Sequence, residues 1–383
     1  MRRLAFALGL ALAACTYPYP GDYVADAGGD GRPPDGPRRA GPLVQNGQLA
    51  DLVLGQAAFD VAVDRGVDAR GFRPDGLAFA NGRLWTADFL NSRVLGWDAP
   101  TVSDAPATYV LGQLDFTSHA FGTSATLLNQ PTGVVAAGQR VMVLDGYNHR
   151  VLVWNQPPTA PGQAADLVLG AATMTEVGAI NVPVGGWSDG ASLIVRSGFT
   201  DPRLWLWRPP PTQSGASPTL QLVGAGPGPG PARYGEVGGV TSDGVRLVVA
   251  DQAGNRVLIW NTIPTSPGVP ADVVVGQPTF DSEAPGSTAA TMRAPHGVLI
   301  VDGALVVADA GNDRVLVFDP IPEHSGALAT QVLGQLSPNQ VAAPQPPSER
   351  TLSHPEGLAV AGRSLFVADR DNRRILRFAL ALP

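Results

Sequence analysis

Residues 295–318 read PHGVLIVDGALVVADAGNDRVLVF, and this stretch contains the strand and turn signals that decide the fold. Residues 297–300 form a short apolar segment, residues 302–303 are an Asp-Gly turn pair, and residues 304–308 form a second apolar segment. A turn of small residues leads into a third segment at 314–318, which stops before prolines that cannot continue a β-ladder. The stretch therefore predicts three antiparallel strands joined by short turns.

The same pattern occurs six times along the 383-residue chain. Each unit opens with a glycine, and an arginine follows 17 positions later and an aromatic residue 21 positions later. The glycines are Gly76, Gly133, Gly186, Gly239, Gly297 and Gly357. The arginines are Arg93, Arg150, Arg203, Arg256, Arg314 and Arg374. Successive glycines lie 53 to 60 residues apart, which is the length of one four-stranded propeller blade.

A fourth apolar segment follows five of the units, and its sixth copy precedes the first unit, at residues 51–55 (DLVLG). The last unit stops at its third segment, near Leu380. We therefore expect residues 51–55 to pair with residues 373–378, so that the two ends of the chain complete one sheet and hide its edges. The predicted fold is all-β: a six-bladed β-propeller of four-stranded blades, with the last blade closed by the N-terminal strand 51–55.

The repeat resembles the NHL family of six-bladed β-propellers over about residues 49–383. The motifs that carry the resemblance are Pro-Xaa-Gly openings followed by an Ala-Asp pair, an Asn or Gly turn and Arg-Val/Ile-Leu. The openings lie at 74–77, 131–134, 295–298 and 355–358, whereas units three and four lack the proline. The resemblance implies the fold but no single function, because the family includes enzymes, RNA-binding modules and protein-binding platforms.

Composition narrows the possible functions. The net charge is −7, and all 26 basic residues are arginine, which rules out Schiff-base chemistry and a phosphate-loop lysine. An acidic chain also lacks the basic surface that nucleic acid binding needs, so we expect no nucleic acid partner. The Asp at position 12 of five units and the Arg at position 17 are predicted to be structural, because a single active site does not need five copies.

The amino-terminal segment has the pattern of an export signal. Residues 1–15 begin with two arginines, continue with a short apolar run and end in Leu-Ala-Ala-Cys. This resembles a bacterial lipoprotein signal peptide, which implies lipid attachment at Cys15, and Thr16 after it implies the outer membrane of a Gram-negative bacterium. Residues 16–48 are rich in Pro, Gly and Asp and predict a flexible tether between the lipid anchor and the propeller.

In a propeller whose first strand is innermost, the residue before each repeat glycine lies near one mouth of the central channel. Asp75, His296 and Glu356 occupy this position in blades one, five and six, which are consecutive around a closed ring. Carboxylate and imidazole ligands of this kind could hold a divalent metal, calcium or zinc, or a polar ligand. Resemblance to enzymatic NHL members implies histidines in several openings, but only the opening at 295–297 has one, so a three-histidine zinc site is not expected.

The turns between second and third strands belong on the same face. Their bulkier polar residues, Tyr147, His149, Arg370 and Arg373, are candidate ligand-binding residues, although solvated turn residues would look the same. The leading hypothesis is an exported, lipid-anchored binding or scaffold module for a protein, glycan or small ligand, with no catalytic residue assigned. The alternative is a metal-assisted lyase or hydrolase with its site at the channel mouth.

Overall fold

The computed structural model describes residues 41–198, 202–226, 228–235, 237–339 and 346–381. These ranges contain 24 strands in six four-stranded antiparallel sheets, and the only helical pieces in them are three 3-10 turns of three residues each. No helix within these ranges is long and apolar enough to span a lipid bilayer. The predicted all-β class and the six blades are confirmed.

The strands follow the repeat in chain order, and each blade takes four of them. They are β1 (Leu52–Leu54), β2 (Pro74–Ala80), β3 (Arg83–Asp88), β4 (Arg93–Asp98), β5 (Tyr109–Leu111), β6 (Gly133–Ala137), β7 (Arg140–Asp145), β8 (Arg150–Trp154), β9 (Leu167–Leu169), β10 (Pro183–Ser188), β11 (Leu193–Ser197), β12 (Arg203–Trp207), β13 (Leu220–Val223), β14 (Val237–Ser242), β15 (Leu247–Asp251), β16 (Arg256–Trp260), β17 (Val273–Val275), β18 (Pro295–Val301), β19 (Ala304–Asp309), β20 (Arg314–Phe318), β21 (Gln331–Leu333), β22 (Pro355–Ala361), β23 (Ser364–Asp369) and β24 (Arg374–Ala379).

The ring closes as the sequence predicts. The strand order of blade six is β1-β24-β23-β22, and Val53 of β1 pairs with Leu376 of β24 in antiparallel register. The first strand of every blade also contacts the first strands of both neighbouring blades, including β2 of blade one and β22 of blade six. The hydrophobic core consists of clusters shared by adjacent sheets, and the repeated aromatic residues lie in them: Trp97, Trp154, Trp207, Trp260, Phe318 and Phe378.

The repeat glycine allows the innermost strands to approach one another closely. A Cβ on Gly357 would lie 2.3 Å from the carbonyl oxygen of Asp75 in blade one, and a Cβ on Gly297 would lie 2.1 Å from that of Glu356 in blade six. At Gly76 the nearest atom would be the Cα of Gly133, at 2.7 Å. Any side chain at these three positions would therefore separate neighbouring blades around the channel.

The repeated aspartate and arginine form a fully buried structural pair in five blades. In blade five, Arg314 Nε donates to Asp309 Oδ2 at 2.7 Å, and the other guanidinium nitrogens donate to backbone carbonyls of the loops before and after the blade. Blade three differs because Gly198 replaces the aspartate. There Arg203 is only partly buried, while Arg196 is fully buried and donates to the carbonyl of Ala250 in blade four. The structural interpretation of the motif is confirmed.

Residues 43–48 correct the predicted boundary of the tether, because they pack against the propeller. Leu43 is 0% exposed, and the amide N–H of Val44 donates to Gln331 Oε1 of blade five at 2.9 Å. Asn46 Oδ1 accepts from Val332 N–H on the outer strand of that blade at 2.8 Å, so this segment covers an otherwise open sheet edge. Composition indicated a tether to residue 48 because residues 16–48 are rich in Pro, Gly and Asp, but Leu43 and Val44 near its end pack against the core. The rest of the predicted tether up to residue 40, with Cys15, lies outside the described residues.

Candidate functional site

The residues before the repeat glycines leave the regular strand pairing just at the channel mouth. In blade one the register shifts between Pro74 and Leu77, and equivalent shifts occur after Pro295 in blade five and Pro355 in blade six. Such a bulge frees the residues that it contains from the alternating ladder and redirects their side chains. It is the local feature that positions Asp75, His296 and Glu356.

The structure brings Asp75 and Glu356 together beneath an arginine. Arg370, from the turn between β23 and β24, places its Nε 3.1 Å from Asp75 Oδ1 and 3.1 Å from Glu356 Oε1. Both carboxyl side chains are buried, whereas the Arg370 side chain is 24% exposed and covers them from the solvent side. His354 Nε2 lies 3.6 Å from Glu356 Oε1. We call Asp75, His296, Glu356 and Arg370 the channel-mouth site.

Burial changes the protonation of this site. Desolvation raises the pKa of Asp75 well above its usual value, and the negative charge of Glu356 and a hydrogen bond between the two carboxyl groups add to the increase. Desolvation also raises the pKa of Glu356. The two groups therefore keep their protons to a higher pH than exposed carboxyl groups do. Desolvation lowers the pKa of His296 to about 4, so its imidazole is neutral at neutral pH.

Replacing Asp75 by asparagine is expected to make stability less dependent on pH. Because the folded-state pKa values of Asp75 and Glu356 are raised, the stability contributed by the pair is complete below about pH 4 and is lost as the pH rises through those values. An asparagine mimics the protonated acid at every pH. The unfolding free energy of Asp75→Asn minus that of the wild type should therefore increase with pH, by roughly 1.4 kcal/mol for each unit by which the pKa is raised.

Denaturant unfolding at several pH values between about 4 and 9 measures this difference. The depressed pKa of His296 acts in the opposite direction, since it removes stability as the pH falls from about 6.5 towards 4. It contributes to both proteins, so comparing the variant with the wild type largely cancels it. A difference that stays constant across the pH range would contradict the raised pKa of Asp75.

The predicted metal ligands are only partly assembled. Asp75 and Glu356 converge, but Arg370 lies against both of them and supplies the positive charge that a bound cation would supply. Within the described part of the chain, no three His, Cys, Asp or Glu side chains are grouped so that they could hold a metal ion. A metal held by Asp75, His296 and Glu356 stays a prediction, and the position of Arg370 does not favour it.

The four candidate ligand-binding residues divide into two kinds. Tyr147 is 50% exposed, and Arg370 caps the channel-mouth site. His149, in contrast, uses its Nδ1 to accept a hydrogen bond from Val182 N–H at 3.0 Å, which joins blade two to the start of blade three. Arg373 pairs with Asp64 at 2.9 Å. The structure therefore leaves the Tyr147 side chain exposed on the face and uses His149 and Arg373 in contacts between segments. Arg370 contacts Asp75 of blade one through its Nε and keeps its terminal nitrogens on the outer side.

Sequence reasoning missed the apolar part of this face. Phe89 stands 13 residues after its repeat glycine, the same repeat position as Arg370, and its ring meets the ring of Tyr147 edge-on with centroids 5.9 Å apart. Leu90, the next residue, is 49% exposed. A comparison of equivalent positions in the six turns would have singled out Phe89 and Leu90, because hydrophobic residues are uncommon in short polar turns.

Comparisons with known proteins do not assign a family to the chain. No protein-family model matches it, and no curated protein sequence matches it. Among solved structures, it is similar to the computationally designed Ika8 protein, at 12% identity over 80% of this chain and 70% of that chain, with a TM-score of 0.43. It is also similar to a chain of a nidogen/laminin complex, at 12% identity over 64% and 76% of the two chains, with a TM-score of 0.39. A third similar structure is Kuenenia stuttgartiensis hydrazine synthase, at 12% identity over 84% of this chain and 98% of that chain, with a TM-score of 0.46. These likenesses are too remote to carry an argument about function.

Proposed function

We propose that this chain is a binding or scaffold module for a protein, glycan or small ligand. It uses the channel-mouth face, which we define as the channel-mouth site together with Phe89, Leu90 and Tyr147. A β-propeller fold is consistent with this role, since its loops present side chains on a rigid ring. The observation that carries the proposal is a contrast between repeat positions. The buried aspartate and arginine recur in five blades, whereas the position 13 residues after the glycine holds Phe89 in blade one and Arg370 in blade six.

Cross-linking in the native cells tests the proposed face. We expect p-benzoylphenylalanine in place of Tyr147 to give discrete cross-linked adducts. The same photoreactive residue in place of Val102, which is 63% exposed in the loop between β4 and β5 at the other end of the blade, should give none. Equal adduct patterns from the two positions, or adducts from position 102 alone, would overturn the assignment of the face.

Export and lipid anchoring at Cys15 belong to the same proposal, with the cell envelope, and its outer membrane in particular, as the location. The Leu-Ala-Ala-Cys sequence at residues 12–15 supports them. The test is incorporation of labelled fatty acid by the wild type but not by Cys15→Ser. Label in both proteins, or in neither, would remove the anchor from the proposal.

A further inference from the structure

We propose that the channel-mouth face recognises a carboxylate attached to an apolar or aromatic group, with Arg370 binding the carboxylate and the rings of Phe89 and Tyr147 contacting the apolar group. This rests on the proposed function, since it names the ligand chemistry of the same face. The free carboxylate could belong to a small acid or to the C-terminus of a peptide.

The exposed edge of the Arg370 guanidinium supports the inference that the ligand carries a carboxylate. The inner edge of its guanidinium, at Nε, faces Asp75 and Glu356, which hold the side chain over the channel. No described residue accepts a hydrogen bond from its two terminal nitrogens, and the nearest anion to Nη1 beyond this pair is Asp371 Oδ1, at 3.8 Å. The two terminal nitrogens of a planar guanidinium match the two oxygens of a carboxylate, and Asp371, itself paired with Arg73 at 3.0 Å, lies too far from Nη1 to accept a hydrogen bond.

The charge balance of the site permits a second anion near Arg370. Burial raises the pKa values of both Asp75 and Glu356, which lowers the negative charge that the pair carries. An incoming carboxylate would repel the negative charge of the pair and so favour its protonation. The other charged or titratable groups at the site are Asp371, which Arg73 pairs at 3.0 Å, and the imidazoles of His354 and His296, whose pKa values burial lowers. Because the carboxyl pair is the group with raised pKa values, binding should take up a proton there and should weaken as the pH rises.

The protein offers an apolar surface for the second part of the ligand, beginning one blade further around the channel mouth. Phe89 occupies in blade one the position that Arg370 occupies in blade six, and the equivalent residue of blade two is Gly146, which has no side chain. Tyr147 follows Gly146 and meets Phe89 edge-on. The partly exposed Phe89 and the half-exposed Tyr147 therefore offer apolar surface in the two blades that follow Arg370 around the ring, and such surface contacts the apolar part of an amphipathic ligand.

Calorimetric titration with defined probes tests the inference. N-acetylphenylalanine joins a carboxylate to an aromatic ring, and N-acetylphenylalanine amide lacks only the charge. Peptides ending in phenylalanine, with a free or an amidated C-terminus, distinguish a peptide end from a small acid. We expect at least one free-carboxylate probe to bind roughly tenfold or more tightly than its amide, which corresponds to about 1.4 kcal/mol. Buffers of different ionisation enthalpy should reveal proton uptake.

The variants separate the two parts of the site. Arg370→Gln should weaken binding of the carboxylate probe about tenfold or more while leaving the amide unchanged, and Tyr147→Ser should weaken both probes. Arg246→Gln is the matched control, because Arg246 is also partly buried and paired with an aspartate but precedes β15, at the opposite end of the blade. Binding to Arg246→Gln should equal that to the wild type.

The outcomes distinguish this inference from the proposed function. If the amide probes bind as tightly as the acids, or if none of the four probes binds, the carboxylate inference is overturned, while cross-linking through position 147 would still support a binding face. Unchanged carboxylate binding by Arg370→Gln also overturns it. Should that variant fail to fold, the acid and amide comparison on the wild type decides the matter. Assembly of the protein through this face would appear as concentration-dependent mass in solution and would also count against a small carboxylate ligand.

Discussion

Replacing Arg314 by methionine is expected to lower the free energy of unfolding by about 3–5 kcal/mol. The methionine fills similar space but leaves the carboxylate of Asp309 buried without its cation. It also removes the donors to the carbonyls of Thr291, in the loop before blade five, and Pro338, in the loop after it. A buried charge that loses its partner carries the full cost of its desolvation, which is why the expected effect is large.

The propeller contains a matched control for this variant. Arg203 holds the same repeat position in blade three, where the aspartate is replaced by Gly198 and the arginine is partly buried with a contact to Gln221 Oε1 at 3.1 Å. Arg203→Met should lower the free energy of unfolding by less than about 1 kcal/mol, because it leaves no buried aspartate of its own blade without a cation. Denaturant unfolding of both variants measures the contrast. Equal losses would show that the arginine acts through packing alone and not through its buried ion pair.

Repetition explains why the sequence predicted most of the fold. Six copies of one pattern fix the strand count and the blade length, and the displaced copy at 51–55 fixes how the ring closes. The start of the folded body was harder to predict. Burial of Leu43 and Val44 depends on a docking surface supplied by blade five, almost 300 residues later, and no local pattern encodes it.

The candidate site was predictable in position but not in contacts. The repeat register predicted Asp75, His296 and Glu356 at one mouth, and the carboxyl groups of Asp75 and Glu356 each lie 3.1 Å from Arg370 Nε. That Arg370 would lie against both carboxyl groups depends on its rotamer and on the curvature of the ring, which sequence does not show. The prediction for His149 met the same difficulty, because an imidazole that accepts a backbone hydrogen bond has the same sequence signal as one that faces a ligand.

Replacing Gly297 by alanine should lower the free energy of unfolding by about 3 kcal/mol. The new Cβ would lie 2.1 Å from the carbonyl oxygen of Glu356, so the first strands of blades five and six would have to separate. The end of a flexible side chain can move away from such a clash. The backbone of a neighbouring strand cannot, because the hydrogen bonds of its own sheet hold it in place. The displacement would also move Glu356 away from Arg370, and ligand binding at the channel mouth should weaken together with stability.

Gly133→Ala separates this clash from the general effect of adding a methyl group to the repeat. Gly133 has the same repeat position in blade two, but the nearest atom to its Cβ would be Leu144 Cδ1, at 3.1 Å, a side-chain atom that can move by a few tenths of an ångström. We expect a loss of about 1 kcal/mol or less, and unfolding in denaturant compares the two variants directly. If Gly133→Ala were as damaging as Gly297→Ala, the glycines would be required for backbone freedom in every blade. A large loss at Gly297 alone would show instead that close contact between the first strands of blades five and six limits what that position accepts.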